Sequence, residues 1–352
     1  MDHTPWMQRC LQLALNGAGQ VAPNPLVGAV LVQDGRILAE GWHRAHGGPH
    51  AEAECLLSYG EAAVPGDAVM YVSLEPCSHT GLTPPCAELL IARGVRNVVV
   101  GCQDPDPRVA GGGVQRLREA GINVATDVLR EACRWVNRRF ITSVERQRPY
   151  IILKWARSSD GFLDRKPREG RGVQRISCFT TDVLVHRWRS EEQAIMVGGR
   201  TVLNDDPVLD VRHVAGRSPM RVVLDRAGIT PVGSRLFKDG ATTLLFTVDR
   251  RDLHHAEQVL LAPDRQPLDA VLQELHRRKV RSLLVEGGGA LLGRFLDAGL
   301  WDEAREIVGD ALFLQGTAAP RMEQQPARTV ASGSDRIHYY ARTARPGDTW
   351  AW

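Results

Sequence analysis

Long hydrophobic runs are missing from this chain of 352 residues. No stretch approaches the roughly 18 consecutive apolar residues that a membrane-spanning helix needs. The first ten residues, MDHTPWMQRC, have neither the basic start nor the apolar segment of a secretory signal. We therefore expect a protein of the reducing cytoplasm that has no membrane partner.

The chain has few lysines, and its net positive charge is small. Only Lys154, Lys166, Lys238 and Lys279 are lysine, and 44 Lys and Arg balance 41 Asp and Glu to a net charge of +3. A nucleic-acid-binding face needs clustered basic residues, often interleaved with aromatic ones, and no segment of the sequence has that composition. We therefore expect no nucleic-acid partner, which also disfavours a deaminase of nucleic acids.

Cysteine is present in an odd number, seven, in a long chain without a secretory signal. A disulfide framework is not expected under those conditions. The length exceeds what one hydrophobic core usually serves, so it predicts two domains. Apolar residues make up 43% of the chain and charged residues 24%, which is ordinary for globular protein.

Strand and helix patterns alternate through residues 1–146. A buried strand at 26–32 is followed by Asp34-Gly35, a hairpin signal, and by a return strand at 36–42. Helical patterns occupy 50–59, 86–94 and 130–140, and further strands are predicted at 69–74 and 95–100. This alternation predicts a three-layer α/β/α domain.

A group of four residues in this domain has the composition of a catalytic metal site. His50 and Glu52 lie in PHAE, Cys77 follows in PCSH, and Cys86 ends PPC. Catalytic zinc takes three protein ligands and keeps one position open. A His-x-Glu followed by Pro-Cys and a second Cys is the signature of the zinc deaminases of bases and nucleosides. The pattern predicts one zinc ion on His50, Cys77 and Cys86, with Glu52 as the proton shuttle.

The alternative is a buried histidine beside unrelated thiols. A lone His-x-Glu or a lone Pro-Cys favours that alternative, but all four residues in this order favour the metal. Of the other five cysteines, Cys10, Cys55 and Cys133 fall within helical patterns, where a free cysteine is usually a small core residue. Eight residues separate Cys77 from Cys86, so a loop intervenes that can reach over a pocket.

The segments EPCSHTGLTPPC, PHAE and APNPLVGAVLV together resemble the bifunctional deaminase-reductase family of riboflavin biosynthesis. The resemblance runs from about residue 5 through the C-terminal part of the chain. It implies a cytidine-deaminase-like domain over 1–146 that converts a diaminopyrimidinone ribosylamino phosphate to the aminouracil and releases ammonia. It also implies that Asn24, His43 and His79 line the substrate pocket; without the resemblance, the two histidines are equally consistent with solvated loops.

Two positions depart from the family pattern. Relatives usually have Lys or Arg at the position of Leu82 and often have one at that of Gly112. Such cations would meet the substrate's phosphate, and each charged hydrogen bond is worth about 1.5–3 kcal/mol. Their loss predicts reduced deaminase activity or a different substrate, unless Arg44, Arg93 or Arg108 substitutes.

A second domain is predicted over 147–352, after the polar break RQRP. It contains the motifs LKWA, VGGRTVLNDDP and VEGGG. The last is a Gly-rich turn between a strand and a helix start, a weak signal for binding pyrophosphate. It is not GxGxxG, so an ordinary Rossmann domain is disfavoured.

The three motifs together resemble the reductase domain of the same family. The resemblance implies a dihydrofolate-reductase-like α/β fold, NADPH as cofactor, reduction of the ribosyl group to ribityl, and a homo-oligomer, dimer or tetramer, formed through this domain. The implied substrate contacts are Arg189, Leu209, Arg212 and Glu286, with Lys154 nearby. The implied NADPH contacts are Ala156, Thr201, Asp205, Gly288, Gly289, Ala290, Leu291, Leu292, Gly293 and Arg294.

Several alternatives stay open at this point. Lys154 is also consistent with an ordinary exposed lysine, and the sequence does not settle NADPH against NADH. Arg175 stands where relatives often have Trp. An arginine at this position would alter the packing of nicotinamide or substrate. The chain as a whole is expected to be a two-step enzyme; the alternatives are a relative with altered substrate or one impaired activity, and a non-catalytic scaffold that binds pyrimidine.

Overall fold

The computed structural model describes residues 2–78, 84–107, 110–253, 255–262 and 266–343. These residues form two compact units, one that ends at Gln147 and one that begins at Arg148. In the described part of the chain, every helix is too short or too polar to cross a membrane. Each unit is built on its own β-sheet.

The first unit has a five-stranded sheet in the order β2-β1-β3-β4-β5. β1 and β2 form the predicted hairpin, because Asp34 and Gly35 both adopt the positive φ that its two-residue turn requires. β1 is antiparallel to β3, and β3, β4 and β5 are parallel. The strands are β1 (Gly28–Gln33), β2 (Arg36–Trp42), β3 (Val69–Val72), β4 (Asn97–Val100) and β5 (Asn123–Ala125).

Helices cover both faces of this sheet. Alternate strand residues such as Leu31 and Met70 pack on one side with Leu56, while Val30 and Tyr71 pack on the other with residues of α1 and α5. The predicted α/β/α layering is thereby confirmed. The helices are α1 (Thr4–Leu15), α2 (Ala51–Tyr59), α3 (Cys86–Ala92), α4 (Gly112–Glu119), α5 (Arg130–Val136) and α6 (Arg138–Glu145).

The prediction of one helix over 130–140 is wrong, because the helix breaks at Asn137. The Asn137 side chain donates to the carbonyl of Leu26 at 2.9 Å and accepts from its N–H at 2.8 Å. The Asn137 side chain thus satisfies both backbone groups of Leu26, as a neighbouring strand would, in the segment that precedes β1. The break into α5 and α6 places this amide beside Leu26.

The second unit has a nine-stranded sheet in the order β11-β10-β9-β8-β12-β6-β13-β16-β15, and a two-stranded ribbon of β7 and β14. The seven strands from β11 to β13 are parallel, and β16 and β15 add antiparallel strands at one edge. The strands are β6 (Tyr150–Arg157), β7 (Phe162–Arg165), β8 (Ala194–Gly198), β9 (Met220–Asp225), β10 (Thr243–Thr247), β11 (Ala256–Leu260), β12 (Ser282–Val285), β13 (Glu303–Val308), β14 (Gly316–Ala318), β15 (Arg328–Ser332) and β16 (Asp335–Ala341).

Parallel strands bring their carboxyl ends to one edge of the sheet, where open α/β sheets bind ligands. There β8 leads directly into α8, and β12 leads through Glu286-Gly287-Gly288 into α10. The amide of Glu286 donates to Met196 O of β8 at 2.9 Å, which keeps the two turns side by side. The helices of this unit are α7 (Phe179–Glu191), α8 (Gly199–Asp205), α9 (Pro267–Arg277) and α10 (Gly289–Asp297), with a 3-10 turn at Arg235–Phe237.

Candidate active sites

The first unit gathers His50, Cys77 and Cys86 at one point. Nδ1 of His50 lies 3.7 Å from Sγ of Cys77 and 3.3 Å from Sγ of Cys86. All three donor atoms lie within 4.8 Å of one another, and among the described residues this is the one such group of three or more ligand side chains. The sequence pattern therefore names residues that the fold brings together.

Three different elements place these ligands. His50 is the extended residue that precedes α2, Cys86 is the first residue of α3, and Cys77 lies in the turn after β3. The N–H of Cys86 donates to Sγ of Cys77 at 3.3 Å, and the N–H of Ala87 donates to the carbonyl of Cys77 at 3.1 Å. The start of α3 is thus bonded directly to the Cys77 turn.

The donor spacing fits zinc. Zn–S and Zn–N distances of about 2.3 and 2.0 Å in a tetrahedron put N and S donors about 3.5 Å apart. The observed separations of 3.7 and 3.3 Å lie on either side of that value. One imidazole and two thiols leave the fourth tetrahedral position open, as a catalytic site requires.

The two thiols titrate together. The Cys86 thiol hydrogen-bonds to Cys77 and, with His50 and the Cys86 amide, lowers the pKa of Cys77 to about 4. The same interaction and burial raise the pKa of Cys86. The pair therefore favours deprotonation of Cys77 over Cys86, and a cation that displaces the remaining proton would complete the set of three donors.

Glu52 lies in the first turn of α2, two residues after His50. Its side chain is buried, and burial, with the charge of Cys77, raises the pKa of this carboxyl to about 7. A carboxyl with a near-neutral pKa can both accept and release a proton under ordinary conditions. Glu52 thus has the titration behaviour that a general acid-base group needs, and it lies next to the His50, Cys77 and Cys86 cluster.

Buried His43 and half-buried Asn24 form a pair beside His50. The carbonyl of Pro49 accepts from Nδ1 of His43 at 2.8 Å, so Nε2 accepts the Asn24 amide at 3.1 Å. Burial lowers the pKa of His43, which keeps the ring neutral as this bonding requires. The His43 and His50 rings meet edge to face with centroids 5.4 Å apart.

The other predicted pocket residues differ in how far the structure describes them. His79, Leu82 and Arg108 lie outside the described residues. Arg44 is half exposed and pairs with Glu54 at 3.0 Å, and Arg93 donates to the carbonyls of Gly60 and Ala62. A Cβ at Gly112 would lie 2.9 Å from Oγ of Ser78, which follows the ligand Cys77.

Glu75 organises this region, although sequence reasoning did not single it out. Its buried carboxylate accepts three backbone N–H groups, from Asp104 at 3.3 Å, Gly111 at 3.0 Å and Val114 at 3.0 Å. It thereby fastens the start of α4 to the strand end that leads to Cys77. One feature of the sequence could have indicated this role: Glu75 begins the EPC segment, so an acidic residue directly follows an apolar strand.

In the second unit, Glu286, Arg189 and Lys154 form a buried charge network. Arg189 donates to both Glu286 oxygens at 2.8 and 2.9 Å, and Lys154 Nζ lies 3.4 Å from one of them. Burial opposes ionisation of Glu286, but the two cations together hold its pKa well below its usual range. Lys154 lies on β6 and pairs with Glu286, and 13% of the Lys154 side chain is exposed.

The segment after α8 carries Leu209 and Arg212. Leu209 is buried and has a φ of 59°, so the chain turns sharply there. Arg189 donates to the carbonyl of Asp210 at 3.1 Å, and the Asp210 carboxylate accepts from the guanidinium of Arg212. This places Leu209, Arg189, Arg212 and Glu286 in one connected region.

The residues that the resemblance assigns to NADPH surround the two strand-to-helix turns. Oγ1 of Thr201 accepts the Gly288 N–H at 3.1 Å, which links α8 to the start of α10. Asp205 pairs with Arg168 at 2.7 Å. Leu292 is fully buried in the core, so only its backbone is available to a ligand. The neighbouring members of the set are half-buried Ala156, Gly289 and Gly293, buried Leu291, and exposed Gly288, Ala290 and Arg294.

Arg175 is held at the surface. Its guanidinium donates to Asp182 at 2.7 Å, and the same carboxylate accepts Oγ of Ser177 at 2.6 Å. Its side chain is 71% exposed. Arg175 therefore lies in a fixed segment before α7 and leaves its charge open to solvent.

Two family models match the chain. The model described as the RibD C-terminal domain matches residues 149–338, and that described as the cytidine and deoxycytidylate deaminase zinc-binding region matches 1–102. The riboflavin biosynthesis protein RibD of Synechocystis sp. is 39% identical over 322 residues, 89% of this chain and 86% of that protein. RibD of Escherichia coli is 38% identical over 321 residues, 86% of each chain.

Solved structures agree with these matches. A diaminohydroxyphosphoribosylaminopyrimidine deaminase/5-amino-6-(5-phosphoribosylamino)uracil reductase from Thermotoga maritima has a TM-score of 0.85 and 35% identity, covering 96% of this chain and 97% of that one. Acinetobacter baumannii RibD has a TM-score of 0.87 and 34% identity, covering 97% and 99%. The similarity therefore extends over both units.

Proposed function

Because the chain belongs to the RibD family, the bifunctional deaminase-reductases of riboflavin biosynthesis, we propose that its two units catalyse successive steps on one phosphorylated pyrimidine. Residues 1–146 are the deaminase domain and residues 147–352 the reductase domain. The substrates are those in the name of the Thermotoga maritima relative. The observation that carries this proposal is the His50, Cys77 and Cys86 cluster with buried Glu52 beside it.

The deaminase step is a hydrolysis. One zinc ion per chain, held by His50, Cys77 and Cys86, would activate water at the open position. Glu52 accepts a proton from that water and delivers it to the amino nitrogen, which leaves the pyrimidine as ammonia while the carbon gains an oxygen. Asn24, His43 and His79 bind the substrate, and neutral His43 holds the Asn24 amide in place.

The reductase step uses the carboxyl edge of the second sheet. NADPH would supply hydride to C1 of the ribosyl group; the bond from C1 to the ring oxygen opens and that oxygen takes up a proton, so the sugar becomes ribityl. Thr201, Asp205 and the turn from Gly288 to Arg294 hold the cofactor, with Ala156 at the end of β6. Lys154, Arg189 and Glu286 orient the substrate, since their charges are fixed by mutual pairing before it binds. Leu209 and Arg212 complete the substrate site, Arg212 as a phosphate ligand.

An altered deaminase substrate is the second candidate, and one observation favours it. Position 112, where relatives often have a cation, lies against Ser78 and carries no side chain. Leu82→Lys tests this candidate: we expect the Michaelis constant for the phosphorylated substrate to fall, because a charged hydrogen bond to phosphate contributes about 1.5–3 kcal/mol. An unchanged Michaelis constant would refute a phosphate role for this position.

The decisive experiment is incubation of the purified full chain with the diaminopyrimidine phosphate, with and without NADPH. Ammonia should appear in both reactions, and the ribityl product only in the one with NADPH. Parallel reactions with NADH measure the cofactor preference. Absence of ammonia with zinc bound would refute the deaminase assignment, and a non-catalytic scaffold would give neither product.

We also propose a homo-oligomer, a dimer or tetramer formed through the reductase domain, in the cytoplasm. All seven cysteines are free thiols, and a reducing compartment preserves Cys77 and Cys86 as ligands. Light scattering of the full chain and of a chain that ends at residue 146 would locate the association. A monomeric full chain would refute it.

A further inference from the structure

His186 on α7 holds the backbone of Arg212. Its Nδ1 lies 3.0 Å from the Arg212 nitrogen, and its side chain is buried. A backbone N–H can only donate, so Nδ1 is the acceptor and the ring is neutral. Burial, together with the charges of Arg189 and Arg212, lowers the pKa of His186 to about 4, in agreement with a neutral ring.

The surroundings fix the orientation of this ring. His213 packs edge to face on His186 with ring centroids 4.5 Å apart, and Phe179 packs on His213 at 5.2 Å. His213 thus packs directly on the His186 ring, and Phe179 packs on His213. The imidazole therefore has one available orientation for its acceptor nitrogen.

α7 holds the same segment at a second point, one helical turn further on. Arg189 donates to the carbonyl of Asp210, and the Asp210 carboxylate directs the guanidinium of Arg212. Arg189 itself is anchored by Glu286 at the end of β12. Arg212 is thus bonded to α7 through its backbone at His186 and through Asp210 at Arg189.

We propose that His186 is a positioning residue of the reductase: it fixes the backbone of Arg212 so that the guanidinium is presented to the substrate's phosphate. This inference rests on the proposed function, in which Arg212 binds the substrate. The Arg212 side chain is 49% exposed and has a single carboxylate partner close by, so its direction depends on where its backbone is held. Loss of the His186 acceptor should therefore weaken substrate binding and leave hydride transfer in the bound complex unchanged.

Two polar substitutions separate this role from a general structural one. His186→Asn keeps an amide oxygen near the position of Nδ1, while His186→Gln moves the amide outward to the position of Nε2. Neither places a hydrophobic group in the site, so both should fold. His276→Gln on α9 is a matched control for changing a histidine in the same unit.

The test uses the full-length enzyme with the aminouracil phosphate and NADPH. We expect His186→Gln to raise the Michaelis constant of the reductase about tenfold, with kcat within about twofold. His186→Asn and His276→Gln should stay within about twofold of the unsubstituted chain in both constants. The dissociation constant of NADPH and the deaminase rate should be unchanged in all three.

A double-mutant cycle with Arg212→Gln completes the test. If His186 acts through Arg212, adding His186→Gln to Arg212→Gln causes no further rise in the Michaelis constant. A full further rise in that background overturns the proposal, and so does an unchanged Michaelis constant in His186→Gln alone. If the unsubstituted chain fails to reduce the aminouracil phosphate at all, the proposed function fails instead.

Discussion

The carbonyl oxygen of Pro76 occupies the space beside Gly113, 1.8 Å from where a Cβ at that residue would lie. The obstacle is backbone directly before the ligand Cys77, so it cannot move without moving the ligand. At the adjacent Gly112 the nearest atom is Oγ of Ser78 at 2.9 Å, and a side chain can rotate away. Two neighbouring glycines at the start of α4 thus tolerate substitution very differently.

We expect Gly113→Ala to lower the melting temperature of the first unit and its zinc content, because Pro76 and Cys77 must shift. Gly112→Ala should stay close to the unsubstituted chain, since Ala favours a helix by up to about 1 kcal/mol over Gly. Calorimetry and metal analysis of both variants test this. Equal melting temperatures and zinc contents of the two variants would contradict the close approach of the Pro76 carbonyl to Gly113.

Metal content should depend on the three predicted ligands and on no other thiol. We expect one zinc ion per chain, lost on His50→Ala or Cys86→Ser, because removal of one of three protein ligands weakens the remaining site. Cys55→Ala is the control, since Cys55 is buried on α2 outside the cluster. Atomic absorption after dialysis gives the stoichiometry, and zinc that survives in Cys86→Ser argues for a different ligand set.

Glu52→Gln should abolish deamination without loss of metal. A positioned general acid-base group contributes roughly 100- to 10,000-fold to the rate, and Gln cannot transfer the proton. Glu54→Gln changes a carboxyl in the same helical turn that pairs with exposed Arg44, so its rate should stay near that of the unsubstituted chain. Comparable ammonia release from both variants would remove Glu52 from the mechanism.

The deaminase should lose activity as the pH falls. Glu52 must be ionised to accept a proton from water, and burial raises its pKa to about 7. Bound zinc lowers that value again through its charge, so the acid limb of kcat/KM should have its midpoint at or below about pH 7. A profile from about pH 5 to about pH 8 measures it. A midpoint clearly above about pH 7 would contradict the assignment of Glu52 as the group whose ionisation gives this limb.

Glu286→Gln should destabilise the second unit. Arg189 and Lys154 would keep buried charges without their carboxylate, which costs about 3–5 kcal/mol when one partner of a buried pair is removed. Glu191→Gln disrupts the more exposed pair with Arg187 and should cost less than about 0.5 kcal/mol. Urea unfolding monitored in the second unit gives both values. Equal losses would show that the network contributes no more than a surface pair.

The clustering of His50, Cys77 and Cys86 was predictable because the residues around them are local signals. His50 precedes a helix, Cys86 follows two prolines at a helix start, and Cys77 follows a strand, so the order of elements implied their convergence. Glu75 was not predictable, because its partners at Asp104, Gly111 and Val114 lie in a loop and helix start that no periodicity relates to it. The break at Asn137 likewise depends on Leu26, more than a hundred residues earlier.

The same limit applies to the second unit. Helix α7 and the strand before Glu286 follow from pattern, but the antiparallel strands β15 and β16 carry only weak alternation. His186 has no distinguishing signal in the sequence, since its acceptor role arises from where Arg212 returns to α7. Tertiary proximity, rather than local preference, determines these contacts.

The two residues that bracket the eight-residue segment between Cys77 and Cys86 are hydrogen-bonded to each other. The Cys86 amide bonds to the Cys77 sulfur and the Ala87 amide to the Cys77 carbonyl, so both ends of the insertion are held together independently of what lies between them. Because its two ends are bonded to each other, we expect the length and composition of this segment to be changeable without displacing Cys77 and Cys86. Grafting this segment from a relative is therefore a direct route to redirecting the deaminase toward another pyrimidine.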